Sequence, residues 1–179
     1  MGFSSWLEVD VVEGTDYLIR VGAFESDAGQ GVLAVSCGDV GGPDNDDCAD
    51  GINLSDGATA FSLVGATTDG PNPTDVPKCD EGFDLDLVND IWYNYTASCT
   101  GTVTVSTCDD ADYDTRLAAY SGFDCPVSND MLVGCNDDGE GCGGLTSIMT
   151  FDAEVGVEYK IRVGGFGFDC SGNLTVSCD

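Results

Sequence analysis

The feature that most constrains this chain is an internal repeat, because it reads YLIRVGAF near its start and YKIRVGGF near its end. Aligned without gaps, Gly2–Phe24 and Gly144–Phe166 are identical at 10 of 23 positions. After a gap of one residue, Gly31–Cys37 matches Gly172–Cys178 at 5 of 7 positions. The period is about 141 residues in a chain of 179. This predicts one complete module preceded by the last part of a second copy.

The repeat divides the chain into three regions. Residues 1–42 are predicted to be the terminal strands of a preceding or partner module, and residues 53–179 a complete β-sandwich. Between them, residues 43–52 form an acidic junction that contains Asp44, Asp46, Asp47 and Asp50. We interpret this junction as a solvated linker, with a cation that stiffens the joint as the alternative.

Local patterns throughout the chain are those of strands. In EYKIRVG, Tyr159, Ile161 and Val163 alternate with Lys160 and Arg162, which is typical of a half-buried strand. GTVTVSTC places its valines on one face, and IWYNYT, TRLAAY, SIMTFDA and NLTVSC are further short β-patterned runs. Clusters of Gly, Asp, Asn and Pro separate them. The sequence therefore predicts an all-β fold, an antiparallel β-sandwich.

Ten cysteines and no histidine indicate disulfides in an oxidising compartment. No apolar run reaches the length that spans a membrane, and residues 1–30 lack the features of a signal peptide. We therefore interpret the chain as a mature secreted segment. Because Cys99 follows the first core strand and Cys178 ends the last, a bridge between them would tie these strands together. The other pairings considered are Cys48–Cys79 and Cys125–Cys135, which leave Cys37, Cys108, Cys142 and Cys170 unassigned; spacing alone does not fix connectivity.

The charge of the chain excludes several partners and activities. With 33 acidic and 5 basic residues, the net charge is -28, which repels nucleic acids and anionic membrane surfaces. The absence of histidine excludes the usual Ser-His and Cys-His nucleophiles. A carboxylate pair for glycoside hydrolysis is conceivable, but abundant acidic residues do not show that two are correctly placed, so no enzymatic activity is expected. Trp6, Trp92 and the tyrosines offer a stacking platform for an extracellular glycan, but the two tryptophans fit packing positions in strands better.

Two acidic loops, CDDADYDT and CNDDGEGC, carry the strongest chemical signal. Calcium takes six to eight oxygen ligands from carboxylates, amides and carbonyls, which such loops could supply if they met at one end of a sandwich. The alternative is that these side chains cap turns through their own backbone amides and are exposed to water. The candidate calcium ligands are Asp110, Asp112, Asp114, Asn136, Asp137 and Asp138, with Asp112, Asp114, Asp137 and Asp138 the strongest of them.

The order of these motifs resembles the pre-peptidase C-terminal (PPC-type) β-sandwich family, in its cysteine-rich form from large secreted bacterial proteins. The resemblance runs from DIWYNYTAS through GTVTVSTC, DADYDTRLAAY, MLVGCNDD and SIMTF to GVEYKIRVGGF and GNLTVSC, within residues 44–179. It implies a jelly-roll-like sandwich without catalytic activity, which in some members binds calcium or polymeric substrates.

From the repeat we expect a non-catalytic structural role in an extracellular surface or filament protein. The expected partners are copies of the chain or adjacent repeats, joined head to tail through β-strands and stabilised by disulfides and calcium. The alternative is a substrate- or glycan-binding accessory module of a secreted hydrolase.

Overall fold

A computed structural model describes Val9, residues 15–22, Leu33, Val35, and residues 42–73 and 87–179. The chain divides into two compact units, Met1–Cys37 and Gly38–Asp179. The predicted terminal-strand region therefore lies largely outside the described residues. All the strands given below belong to the second unit.

The second unit is built from short strands joined by loops and single-turn 3-10 helices. The strands are β1 (Ile52–Leu54), β2 (Gly57–Ser62), β3 (Val88–Thr96), β4 (Gly101–Ser106), β5 (Thr115–Ser121), β6 (Leu132–Asn136), β7 (Ile148–Ala153), β8 (Glu158–Gly165) and β9 (Ser171–Cys178). The 3-10 turns are Cys48–Asp50, Asn129–Met131 and Gly143–Leu145. The six β-patterned runs quoted above from EYKIRVG to NLTVSC each overlap one of these strands and extend beyond it by at most two residues.

The strands form two sheets with jelly-roll connectivity. One sheet has the order β2-β9-β4-β7, and the other has the order β1-β3-β8-β5-β6. All neighbours pair antiparallel except β1, which adds to β3 in parallel. Without β1, these are the two four-stranded sheets of a double Greek key. The predicted all-β, jelly-roll-like sandwich is confirmed.

The core lies between the two sheets and follows the predicted alternation. Val103 and Val105 of β4 are fully buried, as are Ile161 and Val163 of β8. They pack in one cluster with Leu174 of β9, so the inner faces of both sheets contribute. Period-two alternation therefore identified the face of each strand that points into the sandwich.

The outer face of β8 departs from the sequence prediction, because Lys160 and Arg162 are buried and not exposed on a half-buried strand. Their exposed fractions are 2% and 1%. Arg162 donates from Nε to Asp90 Oδ2 at 2.7 Å and from Nη2 to Asp90 Oδ1 at 2.8 Å. Its guanidinium also lies 5.2 Å from the Trp92 ring centroid. Lys160 Nζ donates to the Cys48 carbonyl oxygen.

A second apolar cluster explains this burial. It covers the outer face of the five-stranded sheet and consists of Cys48, Leu87, Trp92, Ala118, Tyr120, Val127 and Leu132. The burial of Trp92 confirms its interpretation as a packing residue. That leaves the glycan alternative without a tryptophan platform among the described residues, since Trp6 lies outside them.

The acidic segment 43–52 lies in this second unit and packs along the same sheet. Asn45 and Cys48 are buried, and Asn45 Nδ2 donates to the Trp92 carbonyl oxygen at 2.8 Å. Asp46 accepts from Thr67 N at 2.6 Å. The segment is therefore packed against the sheet, and its interpretation as a solvated linker is wrong.

Three disulfides are defined among the described cysteines: Cys48–Cys125, Cys99–Cys178 and Cys108–Cys142. The predicted Cys99–Cys178 bridge is confirmed. The Cys48–Cys79 and Cys125–Cys135 pairings are wrong, because the segment around Cys48 folds back over the sheet to the connection between β5 and β6, where Cys125 lies. Cys135 is disulfide-bonded, whereas Cys170 is a buried free thiol. Cys37 and Cys79 lie outside the described residues.

Candidate metal centre

Three of the six predicted ligands meet at one end of the β5–β6 pair. Asp114, Asp137 and Asp138 each offer a carboxylate oxygen, and these oxygens lie within 4.8 Å of one another. Asp114 directly precedes β5, whereas Asp137 and Asp138 directly follow β6. Because β5 and β6 pair antiparallel, the start of β5 and the end of β6 lie at the same end of the strand pair.

The two acidic loops are fastened to each other beside this cluster. The Cys108–Cys142 disulfide joins them covalently. Ser147 Oγ contacts the carbonyl oxygens of both Thr115 and Asp137. The loop positions are therefore set by backbone contacts and a covalent bond, independently of the carboxylates themselves.

Arg116 lies against the cluster, a residue that the sequence analysis did not single out. Its Nη2 lies 3.1 Å from Asp137 Oδ2, and both side chains are buried. The guanidinium also lies 4.5 Å from the centre of the Phe166 ring. In the sequence, Arg116 reads as an ordinary charged position within TRLAAY, so no pattern marked it as a partner of the acidic loops.

Two carboxylate oxygens of the cluster are buried without a hydrogen-bond partner. They are Oδ1 of Asp114 and Oδ1 of Asp137. Asp137 uses its other oxygen for Arg116, so its Oδ1 remains available. Buried polar atoms are nearly always paired, so two neighbouring exceptions call for a physical explanation.

Burial and mutual repulsion disfavour ionisation here. Burial, together with the charges of Asp137 and Asp138, raises the pKa of Asp114 to about 6, against the opposing charge of Arg116. Burial likewise raises the pKa of Asp137, although Arg116 opposes the shift. The cluster is thus poorly solvated and short of positive charge.

The other three predicted ligands do not join the cluster. Asp112 Oδ1 accepts from Ser171 N at 2.7 Å, and Asn136 Oδ1 accepts from Ile148 N at 2.9 Å. Asp110 is exposed, and its carbonyl oxygen accepts from Asn173 N at 2.9 Å. Asp112 and Asn136 thus bind backbone amides that are distant in sequence, which differs from the local turn capping of the alternative. The repeat has a glycine at position 172, and the close backbone contact there requires one. A Cβ at Gly172 would lie 2.2 Å from the Asp110 carbonyl oxygen.

The raised pKa of Asp114 predicts a pH dependence of stability in buffer without divalent cations. The folded chain retains a proton on Asp114 that the unfolded chain releases between about pH 4 and pH 6. This contribution is present at low pH and is lost as the pH rises through 6. We therefore expect Tm to rise on acidification from pH 7 to pH 5, and to rise less in Asp114→Asn. Asp152→Asn, at an exposed position of β7, is the matched control and should follow the wild type. Equal pH profiles for all three proteins would contradict the assignment.

A second feature of the sandwich, as far as the described residues define it, is an open side between the outermost strands β1 and β2. A cavity of about 340 Å³ lies there. Its lining includes Ile52, Phe61, Val64, Ile91 and Tyr93. Ile52 and Val64 are 45% and 64% exposed, so apolar surface continues from the cavity onto the rim. We call this feature the edge groove.

Within the part of the chain that the structure describes, no helix is long and apolar enough to cross a membrane. The disulfides fit an oxidising compartment outside the cytoplasm.

Known proteins offer one weak structural similarity to this chain. No family model matches the chain, and no curated protein matches it. One solved structure is similar, the periplasmic lysozyme inhibitor PliG of Aeromonas hydrophila, an inhibitor of g-type lysozyme. It is 13% identical, with 72% of this chain and 95% of that chain covered and a TM-score of 0.37. At that score the similarity supports no functional conclusion, and the resemblance to PPC-type modules stays a prediction.

Proposed function

We propose that the chain is a non-catalytic structural segment of an extracellular surface or filament protein, which assembles head to tail through β-strand contacts. The observation that carries this proposal is the different environment of the two repeat copies. The copy near the end is the central strand β8, with Ile161 and Val163 fully buried. In the copy near the start, residues 15–22 form neither strand nor helix.

The apolar side chains of this first copy are exposed. Leu18 is 99% exposed, Ile19 57% and Val21 70%. Ile19 and Val21 match Ile161 and Val163 in the aligned repeat. A strand-patterned segment with exposed apolar side chains is suited to pairing with an edge strand of another chain.

The proposed acceptor is the edge groove of a second copy. Among the described strands, β1 and β2 each have a neighbour on one side only, which offers the backbone groups of the other side to an added strand. The apolar lining of the groove would receive alternate side chains of that strand. Because the donor and the acceptor are different segments of the chain, the contact is heterologous, and its repetition from copy to copy would build a filament.

Complementation between two defective chains tests this proposal. Ile19→Lys should disable the donor, and Ile52→Lys should disable the acceptor by placing a charge on edge strand β1. In sedimentation velocity over a range of concentrations, we expect the wild type to form a ladder of oligomers and each variant alone to stay monomeric. Their mixture should give dimers and no longer species, because one working donor meets one working acceptor.

Val155→Lys is the matched control, since Val155 is 63% exposed and lies in the turn between β7 and β8. It should assemble like the wild type. A wild-type chain that stays monomeric at all concentrations would refute the proposal. Variants that assemble as the wild type does would refute the assigned donor and acceptor.

A further inference from the structure

The unpartnered carboxylate oxygens beside Arg116 point to a ligand that the protein atoms do not supply. Asp137 is 4% exposed and Asp114 8%, and Oδ1 of each is buried in a cluster whose three carboxylates approach within 4.8 Å of one another. Neither oxygen has a hydrogen-bond donor. Surrounding backbone contacts hold the loops in place, so the carboxylates are brought together although they repel one another.

The spacing of the cluster fits a single hard cation. Calcium binds oxygens at 2.3–2.6 Å, so two ligands of one ion lie at most about 5 Å apart. The oxygens of Asp114, Asp137 and Asp138 satisfy this limit, since all lie within 4.8 Å of one another. One exposed carboxylate, Asp138, gives the ion a path from solvent.

The charge of the cluster fits a divalent ion. Three carboxylates and the Arg116 guanidinium carry a net charge of two negative when ionised. Arg116 engages Oδ2 of Asp137, which leaves Oδ1 free to bind a second positive group. A divalent cation would neutralise the remainder, whereas a monovalent ion would leave part of it uncompensated.

We propose that Asp114, Asp137 and Asp138 form a divalent-cation site that takes calcium. The ligands are all oxygens, and the two cysteines beside the cluster are bound to each other, which disfavours zinc and copper. Water and backbone carbonyl oxygens would complete the six to eight ligands. The ion would fasten the start of β5 to the loop after β6. This site is independent of whether copies of the chain assemble.

The test compares calcium binding by the whole chain and by two charge-matched variants. Asp138→Asn removes an exposed ligand, so the fold should tolerate it. Asp110→Asn removes the same charge from the partner loop, outside the cluster. Calorimetric titration of the chelator-treated protein with calcium chloride gives the affinity, and thermal unfolding gives the shift in Tm. Sodium chloride of equal ionic strength controls for screening of the charge of -28.

We expect one saturable calcium per chain, and a rise in Tm of roughly 3–10 °C at about 10 mM calcium beyond the sodium control. Asp138→Asn should weaken binding at least about tenfold, and Asp110→Asn by no more than about twofold. Equal weakening in both variants would assign calcium to the diffuse acidic surface and overturn the site. An unchanged Tm together with no binding heat would also overturn it.

Discussion

Asp90→Ala should lower the free energy of unfolding by about 3–5 kcal/mol, because it leaves a guanidinium buried without its counter-charge. The Asp90 side chain is 0% exposed and the Arg162 side chain 1%. Two donors of Arg162, Nε and Nη2, lose their carboxylate acceptors together. Denaturant unfolding at pH 7 measures the loss directly.

A double variant separates the cost of the unpaired Arg162 charge from the cost of lost packing. In Asp90→Ala/Arg162→Met the buried charge is absent, so the double variant should be more stable than Asp90→Ala alone. Asp152→Ala, at an exposed site, should stay within about 0.5 kcal/mol of the wild type. The account of the pair would be wrong if Asp90→Ala cost less than about 1 kcal/mol, or if removing Arg162 as well caused a further loss.

Cys99→Ser/Cys178→Ser should cost about 4 kcal/mol, the second large effect. The bridge spans 79 residues, but the intact Cys108–Cys142 bridge lies within that span, so removal of Cys99–Cys178 opens a ring of about 47 residues in the unfolded chain. It also fastens the end of β9 to the connection between β3 and β4. Denaturant unfolding of the oxidised protein measures the change. Replacing both cysteines leaves no new thiol to exchange.

The variant Cys108→Ser/Cys142→Ser tests whether loop-closure entropy is the cause of this stabilisation. Its ring has about 35 residues, against about 47 for the other bridge, so on entropy alone it should cost about 0.3 kcal/mol less. The expected order is therefore set by loop length. If the shorter bridge contributed as much or more, local packing would have to replace chain entropy as the explanation.

The sequence predicted the inner faces of the sandwich because each strand carries that information in its own alternation. Val103 and Val105 needed no knowledge of distant residues. The outer face of β8 was not predictable in this way, because Arg162 is covered by segments far from it in sequence and pairs with Asp90, 72 residues away. Lys160 and Arg162 have the pattern of an exposed face, and only the folding of a distant segment over the sheet buries them.

The same distinction applies to the candidate metal centre. Acidic composition marked both loops, and antiparallel pairing of β5 with β6 brings Asp114, Asp137 and Asp138 together. Asp112 and Asn136 lie in the same loops, but their side chains accept hydrogen bonds from backbone amides instead of joining the cluster. The sequence does not reveal which amides lie near which side chain. Cys99–Cys178 was predictable from the ends of two recognised strands, whereas Cys48–Cys125 depended on the path of an irregular segment.

The bridges Cys48–Cys125 and Cys99–Cys178 interleave along the chain, since Cys99 lies between the two cysteines of the first bridge. Under a pulling force, tension between Cys48 and Cys178 would therefore pass through both bridges and only the 26 residues from Cys99 to Cys125. At about 3.5 Å per residue, even complete unfolding would extend this stretch to only about 90 Å. Without the bridges, the 130 residues from Cys48 to Cys178 would extend to about 450 Å. The two bridges thus reduce the maximum extension of this unit about fivefold, and reduction would release a long tether.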